Sequence, residues 1–270
     1  MQNMLQSSLL QEFCRVLDNM YRLGWDERNG GNVSLLLNEE QIAPYLDTRK
    51  VLRSLPVTFD ASALSGRVFL ATGAGSYFRN MLLDPERNCG VFRVADDGRR
   101  LDILWGFSPD GAPTSETPTH LMCHAARLRR DPEHRVALHA HPPGMLAMTF
   151  VHPLDDRSFT RSLWRLNTEC MVVFPDGVGV LPWMLCGTDE IGVATAAKMR
   201  DTRMVVWAHH GLWGTGSGLD EAFGLVETAE KHAQIYLSIS HLPRLSHISD
   251  DNLREIAAFF GVTPRAGFLD

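Results

Sequence analysis

Several groups of residues in this 270-residue chain have types and spacings that could do chemistry. His139-Ala140-His141 is the most loaded of them. On a strand, side chains alternate between faces, so both imidazoles point the same way. Two such rings can take neighbouring positions on one metal ion. The competing reading is a pair of half-buried histidines satisfied by their neighbours. A third ligand must come from elsewhere. His209-His210-Gly211 offers two candidates at the end of an expected strand, before a glycine that permits a sharp bend. Three histidines with an open position form the catalytic zinc arrangement. His120, His124, His134, His152, His232, His241 and His247 read as surface or capping residues.

Thr114-Ser115-Glu116-Thr117-Pro118 joins a loop to an expected helix start. Glu116 there reads in one of two ways. It is a helix cap favoured by the dipole, or a carboxylate that moves a proton beside a metal-bound carbonyl. The hydroxyls of Thr114 and Ser115 suit an anion near the helix start. Asn29-Gly30-Gly31-Asn32 and Thr72-Gly73-Ala74-Gly75 are turns whose glycines let backbone N–H groups approach an anion. Neither is a P-loop or a dinucleotide fingerprint. Three anion-friendly turns beside a three-histidine metal site point to a phosphorylated substrate.

The elements that must position these residues alternate in type. Leu9, Phe13, Val16, Leu17 and Met20 have helical spacing within residues 5–23, with Gly24 as a stop. Strands are expected at 33–37, 68–71, 91–94, 101–105, 135–141, 171–174, 178–181 and 204–207. Asp96-Asp97-Gly98 makes a good hairpin turn between two of them. Helices are expected from Thr117 to the Asp131-Pro132 break, and over 155–166, 188–200, 219–240 and 250–260. Hairpins beside strand–helix alternation imply an α/β fold. Its central sheet is mixed and largely antiparallel, with helices on both faces. The chain reads as a single domain over 1–270, with a peripheral insertion or lobe at about 38–66, where periodicity is weak.

Hydrophobic residues are 44% and charged residues 21%, ordinary globular usage that excludes disordered, collagen-like and coiled-coil classes. No apolar run is long enough to cross a bilayer. The net charge of −6 gives no footprint for nucleic acid. The five scattered cysteines form no disulfide framework, and the N-terminus lacks a secretory pattern. A cytoplasmic protein with no membrane or nucleic-acid partner is therefore expected. Only Lys50, Lys198 and Lys231 are available for a Schiff base. Lys198 and Lys231 fall in helical stretches and read as solvated surface residues.

Asn-Gly-Gly-Asn, Thr-Gly-x-Gly, Pro-Thr-Ser-Glu, His-x-His and a late His-Gly occur in this order over nearly the whole chain. In this order they resemble the class II aldolase/adducin-head family. Longer matching stretches are 24–32, 103–106, 168–170, 172–179 and 187–192. The resemblance implies one Zn2+ per subunit, held by His139, His141 and His210. It implies Glu116 as catalytic acid/base, and Glu169 as a second catalytic group reaching a neighbouring subunit's site. It implies phosphate or substrate contacts from Asn29, Gly31, Asn32, Thr72, Gly73, Ala74, Gly75, Thr114 and Ser115. It further implies a homotetramer with sites near subunit boundaries. The activity implied is aldol cleavage of a sugar phosphate, first L-rhamnulose 1-phosphate, giving dihydroxyacetone phosphate and L-lactaldehyde. L-Fuculose- and L-ribulose-phosphate chemistry, a non-catalytic adducin-like module and a zinc hydrolase are the rivals. The chain departs from the family pattern at Ala74, where serine is usual. It departs also at Ser76, where lysine is usual, and at His209, where an aromatic is usual.

Overall fold

A computed structural model describes residues 2–269. Among them the helices are α1 (Ser8–Arg22), α2 (Glu39–Ile42), α3 (Pro85–Asn88), α4 (Thr117–Leu128), α5 (Pro143–Val151), α6 (Asp156–Trp164), α7 (Thr168–Val173), α8 (Asp189–Lys198), α9 (Leu219–Ile239) and α10 (Asp250–Phe260). The strands are β1 (Asn32–Leu37), β2 (Arg53–Pro56), β3 (Val68–Thr72), β4 (Cys89–Val94), β5 (Arg100–Gly106), β6 (Val136–Ala140), β7 (Val178–Leu181), β8 (Met204–Trp207) and β9 (Gly211–Gly216). They form one sheet in the order β2-β5-β4-β3-β1-β6-β9-β8-β7. Every neighbouring pair is antiparallel except β7 with β8. This is the mixed, largely antiparallel α/β sheet expected from the sequence.

The alternation of strand side chains builds two apolar layers. Val33, Leu35, Leu37, Val136, Leu138 and Leu212 face a core shared with α1, α5, α6, α7, α9 and α10. Phe69, Phe92, Ala137, Val205, Trp207 and Trp213 face the other side, where α4 and α8 pack. Asn32, Ser34 and His139 share the α4 face, and Asn32 lies opposite His139 in the β1–β6 ladder. Segment 38–66 carries α2 and gives β2 to the sheet edge beside β5.

Two local expectations are corrected. Met171–Phe174 is not a strand; it falls in and just after α7. Its β-branched residues favour a strand locally, but the Asn167 side chain caps the helix by accepting from Glu169 N at 2.9 Å, and Cys170 and Met171 are buried in the main core. Lys198 is only partly exposed and is ion-paired, its Nζ lying 2.7 Å from Asp156 Oδ1. The sequence reading assigns no element to 211–216, a segment that is half glycine. Those residues form β9, a fully buried strand. At Gly214 a Cβ would lie 2.7 Å from Val226 Cγ2, so the glycine lets α9 press onto the sheet.

Candidate active site

The three histidines meet at the ends of central strands. His139 sits on β6, His141 one residue beyond it, and His210 in the turn from β8 to β9. One ring nitrogen from each lies within 4.8 Å of the others, a grouping able to hold a metal ion. His139 Nε2 and His141 Nε2 are 3.3 Å apart. His209 instead turns away to pack against Phe150, with ring centroids 4.4 Å apart and the rings tilted, so His210 is the one of the two adjacent histidines that joins the cluster. A positive φ of 62° at His209 makes that sharp turn, and its N–H donates to Thr149 Oγ1 at 3.1 Å.

The surroundings fit a metal. His139 Nδ1 donates to the Leu212 carbonyl at 3.2 Å, and His141 Nδ1 donates to both carboxylate oxygens of Glu27 at 2.9 and 3.0 Å. Such partners fix the tautomer and turn the opposite nitrogen toward the centre. Burial, then the neighbouring His141 and His210, hold His139 well below the usual imidazole range. Burial first, and then His141, lowers His210 to about 4. Neutral rings are what a metal requires. Two glycines leave room for the rings. A Cβ at Gly211 would meet Ala140 O at 2.5 Å and His141 Cδ2 at 2.8 Å, and one at Gly30 would meet His141 Cε1 at 2.9 Å.

Glu116 stands at the N-cap of α4 but makes no side-chain capping bond. It turns inward, with Oε2 3.7 Å from His139 Nε2 and accepting from Asn32 Nδ2 at 3.0 Å. Burial raises its carboxyl above the ordinary value, against the opposing pull of Asn32 and His141. The capping reading of Glu116 therefore gives way to a carboxylate beside the histidine cluster.

A cleft of about 180 Å³ opens over these groups. Asn29, Gly31, Asn32, Gly73, Ala74, Gly75, Thr114, Ser115 and Glu116 line it with the three histidines. Gly73 N–H and Ala74 N–H donate within the fold, to Asn88 O and Ala112 O, both at 2.8 Å. A Cβ at Gly73 would lie 2.7 Å from Ser76 Oγ, so the Ser76 hydroxyl folds back over this turn. Two expected residues are not brought to the cleft of this chain. Thr72 is buried and its Oγ1 accepts from Val33 N at 3.2 Å. Glu169 is exposed at the start of α7 and does not line the cleft.

The sequence reading missed Glu27, which lies in the loop before the Asn-Gly-Gly-Asn turn; no spacing pairs it with His141, 114 residues away. It also misjudged several histidines. His120, His124, His134, His152 and His232 are buried, not surface or capping residues. Strand β1 and helix α4 close over His120 and His124, which local sequence does not reveal.

Residues 11–237 match the family described as Class II Aldolase and Adducin N-terminal domain. The chain belongs to this class II aldolase family. Full-length likeness accompanies the match. A rhamnulose-1-phosphate aldolase of Enterococcus faecalis is 50% identical over 99% of this chain and 96% of its own. A rhamnulose-1-phosphate aldolase of Escherichia coli is 44% identical over 100% of this chain and 99% of its own. Among solved structures, a sugar-phosphate aldolase from Thermotoga maritima matches with a TM-score of 0.76 at 29% identity, over 87% of this chain and 96% of that one. As a class II aldolase the chain is a lyase, of a metal-dependent family, and its histidine cluster is able to hold the ion. No helix among the described residues is long and apolar enough to cross a membrane.

Proposed function

We propose that the chain reversibly cleaves L-rhamnulose 1-phosphate to dihydroxyacetone phosphate and L-lactaldehyde. The observation that carries this reading is the convergence of a buried carboxylate, three imidazoles and the anion-friendly turns on one cleft. The names of the full-length relatives support the choice of sugar. His139, His141 and His210 would hold one divalent ion, which we infer to be zinc from the all-imidazole donor set. When bound, it supplies Lewis-acid stabilisation of negative charge on the ketose oxygens.

The rest of the chemistry falls to the chain. A base on the aldehyde side takes the C4 hydroxyl proton as the C3–C4 bond breaks to the aldehyde, and Glu116 then gives a proton to C3 of the three-carbon phosphate fragment, removing it in the synthetic direction. Burial raises its carboxyl, which favours a group that holds a proton before giving it up. Asn32 fixes the carboxyl by donating to Oε2. The phosphate lies against Asn29, Gly31 and Asn32, the Gly73–Gly75 turn, and Thr114 with Ser115. We assign Thr72 an indirect part in the same site, since its carbonyl accepts from Thr114 N–H at 3.0 Å and so ties two of the phosphate turns together. No lysine lines the cleft, and Lys198 is tied to Asp156, which agrees with a mechanism that uses no Schiff base.

We further infer a cytoplasmic homotetramer in which Glu169 completes the aldehyde side of a neighbouring subunit's cleft. The exposure of Glu169 and of the large apolar residues Phe150, Trp183 and Leu185 supports such contacts. The peripheral segment at 38–66 remains part of the same single domain in this reading.

The deciding experiment follows release of dihydroxyacetone phosphate from L-rhamnulose 1-phosphate before chelation, after it, and after zinc is returned. Release that chelation abolishes and zinc restores is expected. No release from folded, zinc-loaded protein would reject the rhamnulose assignment in favour of the fuculose or ribulose phosphates. Release that survives metal removal would overturn the mechanism. Glu116→Gln should lower turnover by roughly a thousandfold while zinc is retained.

A further inference from the structure

The cleft carboxylate is the end of a longer file of buried groups. Asn32 Nδ2 donates to Glu116 Oε2 at 3.0 Å, and Asn32 Oδ1 lies 2.6 Å from His120 Nε2. His120 Nδ1 lies 2.7 Å from Ser34 Oγ, which is also 2.8 Å from His124 Nε2. His124 Nδ1 lies 2.9 Å from His134 Nε2. Every residue in the file is buried. Two periodicities bring them together. Asn32 and Ser34 are two apart on β1, a step of about 6.6 Å. His120 and His124 are four apart on α4, a rise of about 6 Å. The ring of His120 therefore fits between Asn32 and Ser34, and Ser34 fits between the two rings.

Counting donors fixes a single direction. A carboxylate accepts, so Asn32 presents its NH2 to Glu116 and its oxygen to His120. An amide oxygen accepts, so His120 carries its proton on Nε2. Its Nδ1 is then an acceptor, and the Ser34 hydroxyl donates to it. Ser34 oxygen accepts in turn from His124 Nε2–H, and His124 Nδ1 accepts from His134 Nε2–H. Trp213 lies edge-on to His120 with ring centroids 4.8 Å apart, and Phe69 lies 4.9 Å from His124. In these walls burial holds all three rings below the usual imidazole range, so each carries one proton. An amide passes no proton along in this arrangement, so the file is a brace and not a conduit.

We propose that His120, Ser34, His124 and His134 are positioning residues, whose one-directional hydrogen-bond file locks the Asn32 amide and so aims the Glu116 carboxylate into the cleft. The proposal rests on Glu116 as the acid/base at C3. Ser34 is the link that holds the His120 tautomer from its far side, by donating to Nδ1. Without its hydroxyl, His120 is free to move its proton to Nδ1 and turn a lone pair toward Asn32 Oδ1. The amide must then rotate, and its oxygen meets the carboxylate.

The test uses zinc-loaded protein and two measurements. Nitrogen-15 histidine spectra of the wild type should show His120, His124 and His134 as neutral rings protonated on Nε2. An Nδ1-protonated form at His120 or His124 overturns the file whatever any variant does. The second measurement is exchange of the C3 proton of dihydroxyacetone phosphate with deuterated solvent in Ser34→Ala. Exchange at saturation should fall roughly tenfold to a hundredfold. KM should rise by no more than about fivefold, since Asn32 is the one phosphate contact that a rotated amide changes, and zinc content should not change. Wild-type exchange in Ser34→Ala overturns the positioning role. Glu116→Gln is the control for the underlying reading. If that variant exchanges like the wild type, the acid/base assignment and with it the positioning role fail, while the tautomer pattern still judges the file by itself.

Discussion

Replacing Glu27 by alanine should weaken metal binding without touching a ligand. The Glu27 carboxylate accepts His141 Nδ1–H at 2.9 and 3.0 Å, which leaves Nε2 as the free lone pair facing the cluster. Two contributions are lost in the variant. The charge-assisted hydrogen bond would be worth about 1.5–3 kcal/mol if buried. Glu27 is 70% exposed at its side chain, so solvent screening reduces that to under about 1 kcal/mol. His141 must also be held in the metal-binding tautomer and ring orientation without help, about 0.5–1 kcal/mol. Together these give about 1.4 kcal/mol, a tenfold loss in affinity, at the low end for outer partners of metal ligands. The turn itself should survive, because Gly30 N–H donates to the Glu27 carbonyl at 2.7 Å and not to its side chain. Glu27→Gln keeps an acceptor and should lose only about threefold. The assay is competition for zinc between the protein and a chromophoric chelator at neutral pH. Wild-type affinity in Glu27→Ala would refute the reasoning, because it would mean that His141 needs no partner to present Nε2.

Three other outcomes follow from the same geometry. Gly211→Ala should cost about 1–3 kcal/mol and displace the histidines, since its Cβ would fall 2.5 Å from Ala140 O; denaturant melts and zinc content will show both losses. Asp26 is buried with Oδ1 unpartnered, and burial, aided by Glu27, lifts its carboxyl to about 7. The native state then binds the proton more tightly than the unfolded chain, so this group's destabilising effect is absent below about pH 4 and grows as pH rises to 7. Asp26→Asn should therefore stabilise metal-free protein by on the order of 2 kcal/mol at pH 8 and by nothing measurable near pH 4, as read by urea melts. Ala74→Ser should return a hydroxyl to the cleft wall and lower KM for the phosphorylated substrate by about fivefold, with kcat unchanged.

Much of the cleft was legible because its signals are local. His-x-His carries the period of a strand, and β6 with the residue after it delivers both rings to one centre. The glycines of the turns mark backbone that must bend or be closely approached, and both turns line the cleft. The order of these short motifs along the chain was specific enough to identify the family. The alternation of strand and helix patterns gave the sheet class. Where the sequence misled, opposing local preferences were nearly balanced. Met171–Phe174 has strand-forming residues but is held as helix by the Asn167 cap and its burial. Residues 211–216 look like a loop but form a central strand, because glycine is what α9 tolerates beneath it.

By itself, then, the sequence singled out the groups that line the cleft: three imidazoles, one carboxylate and the glycine-rich turns. Tertiary structure decided how those groups act on one another. The β1–β6 register set Asn32 opposite His139, and α4 laid Glu116 against that pair from 84 residues along the chain. The turn between β8 and β9 chose His210 over His209. Glu27 and the buried file from His120 to His134 gained their meaning only there. A hydrogen bond between distant residues leaves no periodic trace in one sequence, whereas a strand or helix face repeats every two or four residues.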